Sequence, residues 1–196
     1  MPLASATEGN TPLTPEELAQ LLPALATREE LNEWERANIL EADRWAMAPR
    51  NVRSNDPLTE EYIRKLHRRM FDQTWKWAGT YRNTEKNIGV PVHEIREKLM
   101  VLLGDVRFQV ENNTWPPDEI AARFHHRLVQ IHPFPNGNGR HGRLIADVLI
   151  RKLGGARFTW GRKELIKPGE ARQQYLQAMR AADAGDIGPL LEFVRQ

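Results

Sequence analysis

Apolar residues recur at helical spacing through most of the chain. In the second half, Ile120, Phe124, Leu128 and Ile131 fall three or four apart, and so do Leu144, Ile145, Val148, Leu149 and Leu153. Each set marks the buried face of one helix. Thr59-Glu60-Glu61 opens an earlier helix in which Tyr62, Leu66 and Met70 repeat every four residues, with Ile63 and Phe71 alongside. Thr14-Pro15-Glu16-Glu17 and Thr27-Arg28-Glu29-Glu30 read as helix starts, each with a hydroxyl cap and an acid three residues on. The first of these helices stops near Pro23. The second runs to about Met47, with Leu31, Trp34, Ile39, Ala42 and Trp45 as its packing side. Further helices are expected over His93 to Val110, from Pro116-Pro117-Asp118-Glu119 onward, from Pro168 to Asp183, and over Asp186 to Val194. Residues 1–13 are expected to be disordered, Pro49 to Pro57 to form a linker, and Ala156 to Arg162 to be short and extended. Asn87 to Val92, with β-branched residues around Gly89, breaks the helical period and predicts a short β-hairpin. The pattern as a whole predicts an all-α bundle of seven or eight helices.

Composition adds bounds more than detail. At 196 residues the chain suits one domain with an N-terminal extension. Hydrophobic content of 40% and charged content of 28% fit a soluble protein. A net charge of +2 is too small to argue for direct nucleic-acid binding. There is no cysteine, which excludes disulfides and thiolate-held metal. No leader pattern and no membrane-length apolar run is visible, so a cytoplasmic protein without membrane contact is expected.

The chemistry concentrates between the two strongest helical patterns, in His132-Pro133-Phe134-Pro135-Asn136-Gly137-Asn138-Gly139-Arg140-His141-Gly142-Arg143. Pro133 and Pro135 stop the first helix. Gly137 and Gly139 let backbone approach a ligand with no Cβ between. A helix N-terminus follows, with unpaired N–H groups and a positive dipole end that favour an anion. Arg140 and Arg143 share one helix face and suit phosphate. His132 stands at the other lip and can take a proton near neutral pH. A base, an anion cradle and two arginines point to phosphoryl or nucleotidyl transfer. Phe134, an aromatic between prolines, reads as the loop's anchor in the core. His125 and His126 point to different helix faces and read as structural or surface residues, and His141 as a residue of the rim.

The string His132-x-Phe134-x-Asn136-Gly137-Asn138-Gly139-Arg140-x-x-Arg143 resembles the signature of the Fic (Fic/Doc) family, His-x-Phe-x-Asp/Glu-Gly-Asn-Gly-Arg-x-x-Arg, and departs from it at Asn136. Trp77-Ala78-Gly79-Thr80-Tyr81-Arg82 resembles a second landmark of that family, Trp-Ala-Gly-x-x-Arg. The likeness covers roughly residues 58 to 195 and is nearest to the subgroup called mobile mystery protein B. It implies a Fic-type helical bundle over 58–196 behind a regulatory extension, 1–57. It also implies a protein adenylyltransferase that moves AMP from ATP to a Ser, Thr or Tyr hydroxyl of a target protein. His132 would be the general base, with Gly137, Asn138, Gly139, Arg140 and Arg143 on the nucleotide's phosphates. Gly139, where the phosphate-transferring Doc branch has lysine, favours AMP transfer. Ile88, Gly89 and Val90 would form a flap that docks the target by strand addition. Mg²⁺, or Mn²⁺, would rest weakly on Asn136, so low activity, another metal preference or another donor is expected. Glu33 or Glu35 would reach Arg143 as an inhibitor, with an antitoxin-like or regulatory partner as the alternative. The competing functions are a catalytically silent nucleotide- or partner-binding module and a metal-dependent phosphohydrolase built on the histidines.

Overall fold

The computed structural model describes residues 11–161 and 169–196. Within them lie nine α-helices, one 3₁₀ turn at Val92–Glu94 and no strand. The helices are α1 (Pro15–Leu18), α2 (Arg28–Met47), α3 (Pro49–Ser54), α4 (Glu60–Phe71), α5 (Ile95–Glu111), α6 (Pro117–Ile131), α7 (Asn138–Lys152), α8 (Glu170–Asp183) and α9 (Gly188–Arg195). The expected all-α bundle forms, and the two capping boxes are present. Thr14 and Glu17 close the start of α1, and Thr27 and Glu30 that of α2. Each satisfies N–H groups that a helix start leaves without partners.

α6 and α7 are joined by six residues and pack along each other, with α5 on α6 and α9 also against it. α2 lies along α4, and both touch α7, so the extension contributes to the same core. Ile63, Leu66 and Met70 of α4 meet Phe124 and Leu128 of α6 and Ile145, Val148 and Leu149 of α7 in that core. It fixes the one connection that carries the chemistry, because the ends of α6 and α7 cannot shift without opening it.

Several expectations are corrected. Pro49 to Pro57 is not a linker throughout: Pro49 takes the first position of α3, where its missing N–H costs nothing. On α2, Leu31 and Ala42 are buried and Ile39 and Trp45 pack partly buried on the core as expected, Glu35, Asn38 and Ala46 are buried with them, and Trp34 is 45% exposed and donates to the Gln73 carbonyl at 3.1 Å. Asn38 explains its own burial. Its amide donates to the Arg69 carbonyl at 3.0 Å and accepts from the Gln73 N–H at 3.1 Å, finishing the C-terminal end of α4. Residues 11–13, expected to be disordered, are placed against the site, and residues 1–10 lie outside the described residues. Ala156 to Thr159 has no regular secondary structure and Trp160 and Gly161 lie in a turn; Arg162 and Pro168 lie outside the described residues. No described helix is long and apolar enough to cross a membrane.

Candidate active site

α6 ends at Ile131, and His132 turns the chain with left-handed backbone, φ 53° and ψ 58°. Such a conformation costs a non-glycine residue of order 1 kcal/mol or more and persists only where its surroundings enforce it. Here the His132 N–H bonds the Leu128 carbonyl at 3.2 Å, and the His132 carbonyl accepts from Arg82 Nε at 2.7 Å. The imidazole is buried, with Nε2 2.9 Å from the Thr11 hydroxyl. Its Nδ1 is buried and has no hydrogen-bond partner among the described residues. Burial first, then the charges of Arg82 and Lys86, push its pKa down to about 4. The ring is therefore neutral at pH 7, with Nε2 able to accept a proton.

The loop after it is locked from beneath. Phe134 is fully buried and stacks on His67 with ring centroids 3.7 Å apart. The Gly79 N–H donates to His67 Nδ1 at 3.0 Å, so Nε2 carries the proton and donates to the Asn136 carbonyl, also at 3.0 Å. Asn138, expected on a phosphate, spends both ends of its amide on Phe134: it accepts from the N–H at 3.0 Å and donates to the carbonyl at 2.9 Å. What it offers an anion is its backbone N–H. With Gly139 and Arg140 it forms the first turn of α7, whose N–H groups have no carbonyl one turn back. At Gly139 an added Cβ would meet only the Tyr175 hydroxyl, at 3.7 Å, so packing does not demand glycine there. At Gly137, φ +80°, a Cβ would stand 2.4 Å from Cζ of the buried Phe71 ring. Gly137→Ala is expected to lower stability by about 1–3 kcal/mol; an unchanged midpoint in denaturant would contradict this.

The cations are engaged. Arg140 Nη1 lies 2.6 Å from Oε2 of the buried Glu35, and its Nη2 lies 3.3 Å from Asn136 Oδ1. Trp75 Nε1 donates to the other Glu35 oxygen at 2.7 Å. The acid of α2 thus reaches the first motif arginine, not Arg143 as expected, and Glu33 is exposed to solvent. The Arg143 guanidinium lies over the Tyr175 ring, 5.2 Å from its centroid. Asn136 Oδ1 also accepts from the Gly137 N–H at 2.7 Å. One neutral oxygen that already takes two donors is a poor ligand for Mg²⁺, which is usually held by carboxylates and phosphates. No group of three or more His, Asp or Glu suited to a metal occurs among the described residues. The donors among the described residues do not fit a resident Mg²⁺.

The expected hairpin at Asn87 to Val92 does not form, and Arg82 is the reason. Its N–H donates to the Pro133 carbonyl at 2.9 Å, and its guanidinium bonds the carbonyls of His132, Thr84 and Val90. Carbonyls that a ladder would use are taken by a side chain. The Val90 N–H reaches the Ile131 carbonyl at 3.4 Å, so the segment lies as an irregular loop along the end of α6. Ile88 is 48% exposed at its tip. Gly89, φ +105°, passes so close that a Cβ would be 2.7 Å from His132 Cβ. His125, His126 and His141 stand apart from the site's chemistry. His141 is corrected from rim to core, bonded to the Ile63 carbonyl at 2.9 Å. His125 is buried with Nε2 3.1 Å from the Tyr175 hydroxyl, and His126 pairs with Asp183 at 2.8 Å.

Two contributors escape a reading of the sequence. His67 sits between Ile63 and Phe71 at spacing four, and a polar residue on an apolar stripe is its only signal. Thr11 has none.

Residues 57–150 match the Fic/DOC family. A protein adenylyltransferase Fic of Nematostella vectensis is 31% identical over 147 residues, 73% of this chain and 33% of that protein. The Caenorhabditis elegans protein adenylyltransferase fic-1 is 30% identical over 72% of this chain and 27% of its own length. The chain thus spans a third or less of the length of these curated relatives. Among solved structures, the BepC protein of Bartonella tribocorum with bound AMPPNP superposes with a TM-score of 0.67 at 19% identity, over 93% of this chain and 97% of that one. At that identity the likeness speaks for the fold.

Proposed function

Residues 57–150 belong to the Fic/DOC family, and from that premise we propose that the chain is a protein adenylyltransferase, moving AMP from ATP to a hydroxyl of a protein. The observation that carries this is the pairing of a neutral, buried His132 with the start of α7 and its Arg140. The target hydroxyl gives its proton to His132 Nε2 as its oxygen attacks the α-phosphorus, and pyrophosphate leaves on the opposite side. The N–H groups of Asn138, Gly139 and Arg140 hold phosphate oxygens, and Arg143 takes the far end of the triphosphate. These groups act by position and charge, which suits phosphoryl chemistry. Because Asn136 does not fit a protein-held Mg²⁺, any metal would travel with the nucleotide.

Glu35 supports a restrained form of this activity. It meets Arg140 with the same charge that a phosphate brings, so nucleotide binding has to open or share that pair. We propose Glu35 as the internal restraint, in place of an antitoxin-like partner. A silent nucleotide-binding module is the second reading, favoured by Asn136 alone.

The test is incubation in cell lysate with ATP labelled at the α- or the γ-phosphate. Label on protein from the α-position only is expected. Label from the γ-position only would mean phosphate transfer, and nucleotide binding with no label from either would mean the silent module. In the same assay Asn136→Asp supplies a carboxylate beside the phosphates. It is expected to lower the Mg²⁺ needed for half-maximal rate about tenfold, the equivalent of one charge-assisted contact. No change in metal dependence would contradict the account of Asn136.

A further inference from the structure

The residues before α1 are clamped across the site by contacts the mechanism has not used. The Pro12 carbonyl accepts from Lys86 Nζ at 3.0 Å, and Lys86 also pairs with Glu17 at 2.5 Å. Thr84 donates to the other Glu17 oxygen at 2.8 Å, while Leu13 packs on the core. Glu17 and Lys86 are both nearly buried, so the pair grips firmly. This clamp fastens residues 11–17 to the loop that follows Arg82. It delivers Thr11 to the motif: its carbonyl accepts from Asn136 Nδ2 at 3.1 Å, and its hydroxyl lies 2.9 Å from His132 Nε2. A hydroxyl at that distance from a neutral imidazole is where an acceptor must be for its proton to be taken. Thr14, by contrast, has its hydroxyl committed to capping α1.

We propose that Thr11 is itself an acceptor, and that the chain adenylylates its own Thr11 hydroxyl. This rests on the AMP-transfer reading above and names one substrate of that site. In the step, the Thr11 O–H proton passes to His132 Nε2 and the oxygen forms a bond to the α-phosphorus of ATP. The bond from that phosphorus to the bridging oxygen of the β-phosphate breaks, and pyrophosphate leaves with the electron pair. The product is a threonine–AMP phosphodiester, and His132 returns its proton to water. Because the clamp is internal, the reaction is intramolecular and competes with protein targets for the same base.

The experiment uses the purified full chain with α-labelled ATP, followed by peptide mapping, beside a parallel assay on lysate proteins. One AMP on Thr11 is expected, with a rate per chain that does not change over a hundredfold range of protein concentration. Thr11→Ser keeps the self-label. Thr11→Val, checked for an unchanged melting temperature, loses it. Self-label at another residue, or none while lysate proteins are labelled, overturns the assignment of Thr11 and leaves AMP transfer standing. No label on either overturns AMP transfer, and this proposal with it.

Discussion

His132→Ala is expected to slow transfer of the α-phosphate about 10²–10⁴-fold, the usual contribution of a positioned base, with nucleotide affinity within a few-fold of the parent. The two effects separate because the base and the cradle are different parts. The phosphates rest on the start of α7 and its arginines, whereas His132 belongs to the end of α6. Its left-handed backbone invites the objection that any substitution would merely loosen the loop. His132→Asn answers it, since asparagine tolerates that conformation and cannot act as the base. Both variants are expected to lose labelling alike. Rate constants from α-labelled ATP, with affinity from calorimetry, decide it; a variant that still transfers at a tenth of the parent rate would remove His132 from the chemistry. A pKa near 4 makes the ring available throughout the neutral range but a weaker base than a free imidazole. The triphosphate, a polyanion bound beside it, raises that pKa again when the reaction needs it.

The second large effect is on stability. Burial keeps four histidines neutral: it pushes His125 to about 3, His132 and His141 to about 4, and His67 well below its ordinary value. The unfolded chain would bind their protons near pH 6.5. The folded state therefore binds fewer protons below that pH, and stability falls as pH drops from about 6.5 toward 4. Each histidine contributes up to about 1.4 kcal/mol per pH unit. His125, His132 and His141 together remove about 4 kcal/mol by pH 5.5, with His67 acting in the same direction, against a typical total of about 5–15 kcal/mol. The chain is expected to unfold at a pH where its carboxylates are still ionised. Denaturant midpoints at pH 7.5 and 5.5 check this, and equal midpoints would contradict it.

What could be read from the residues follows from which forces act locally. The faces of α4, α6 and α7 are apolar and one-sided, so their spacing alone reveals them, and the boxes at Thr14 and Thr27 close within four residues. α2 showed only part of its face, because two of its buried residues, Glu35 and Asn38, are there to bond distant groups. The segment after Arg82 looked like a hairpin because Val90 and Val92 favour strands, but a guanidinium buried at its base took the carbonyls instead. Asn138 could serve phosphate or backbone equally by type, and only the fold shows its amide bonded at both ends to Phe134. Thr11 and His67 act across more than sixty residues of sequence, which no local pattern encodes.

The most direct measurement is a crystal structure with a non-hydrolysable ATP analogue. The account predicts the α-phosphorus as the phosphorus nearest His132 Nε2, phosphate oxygens on the N–H groups of Asn138 to Arg140, and the γ-phosphate against Arg143. A γ-phosphorus nearest to His132, or a nucleotide bound away from the start of α7, would contradict it.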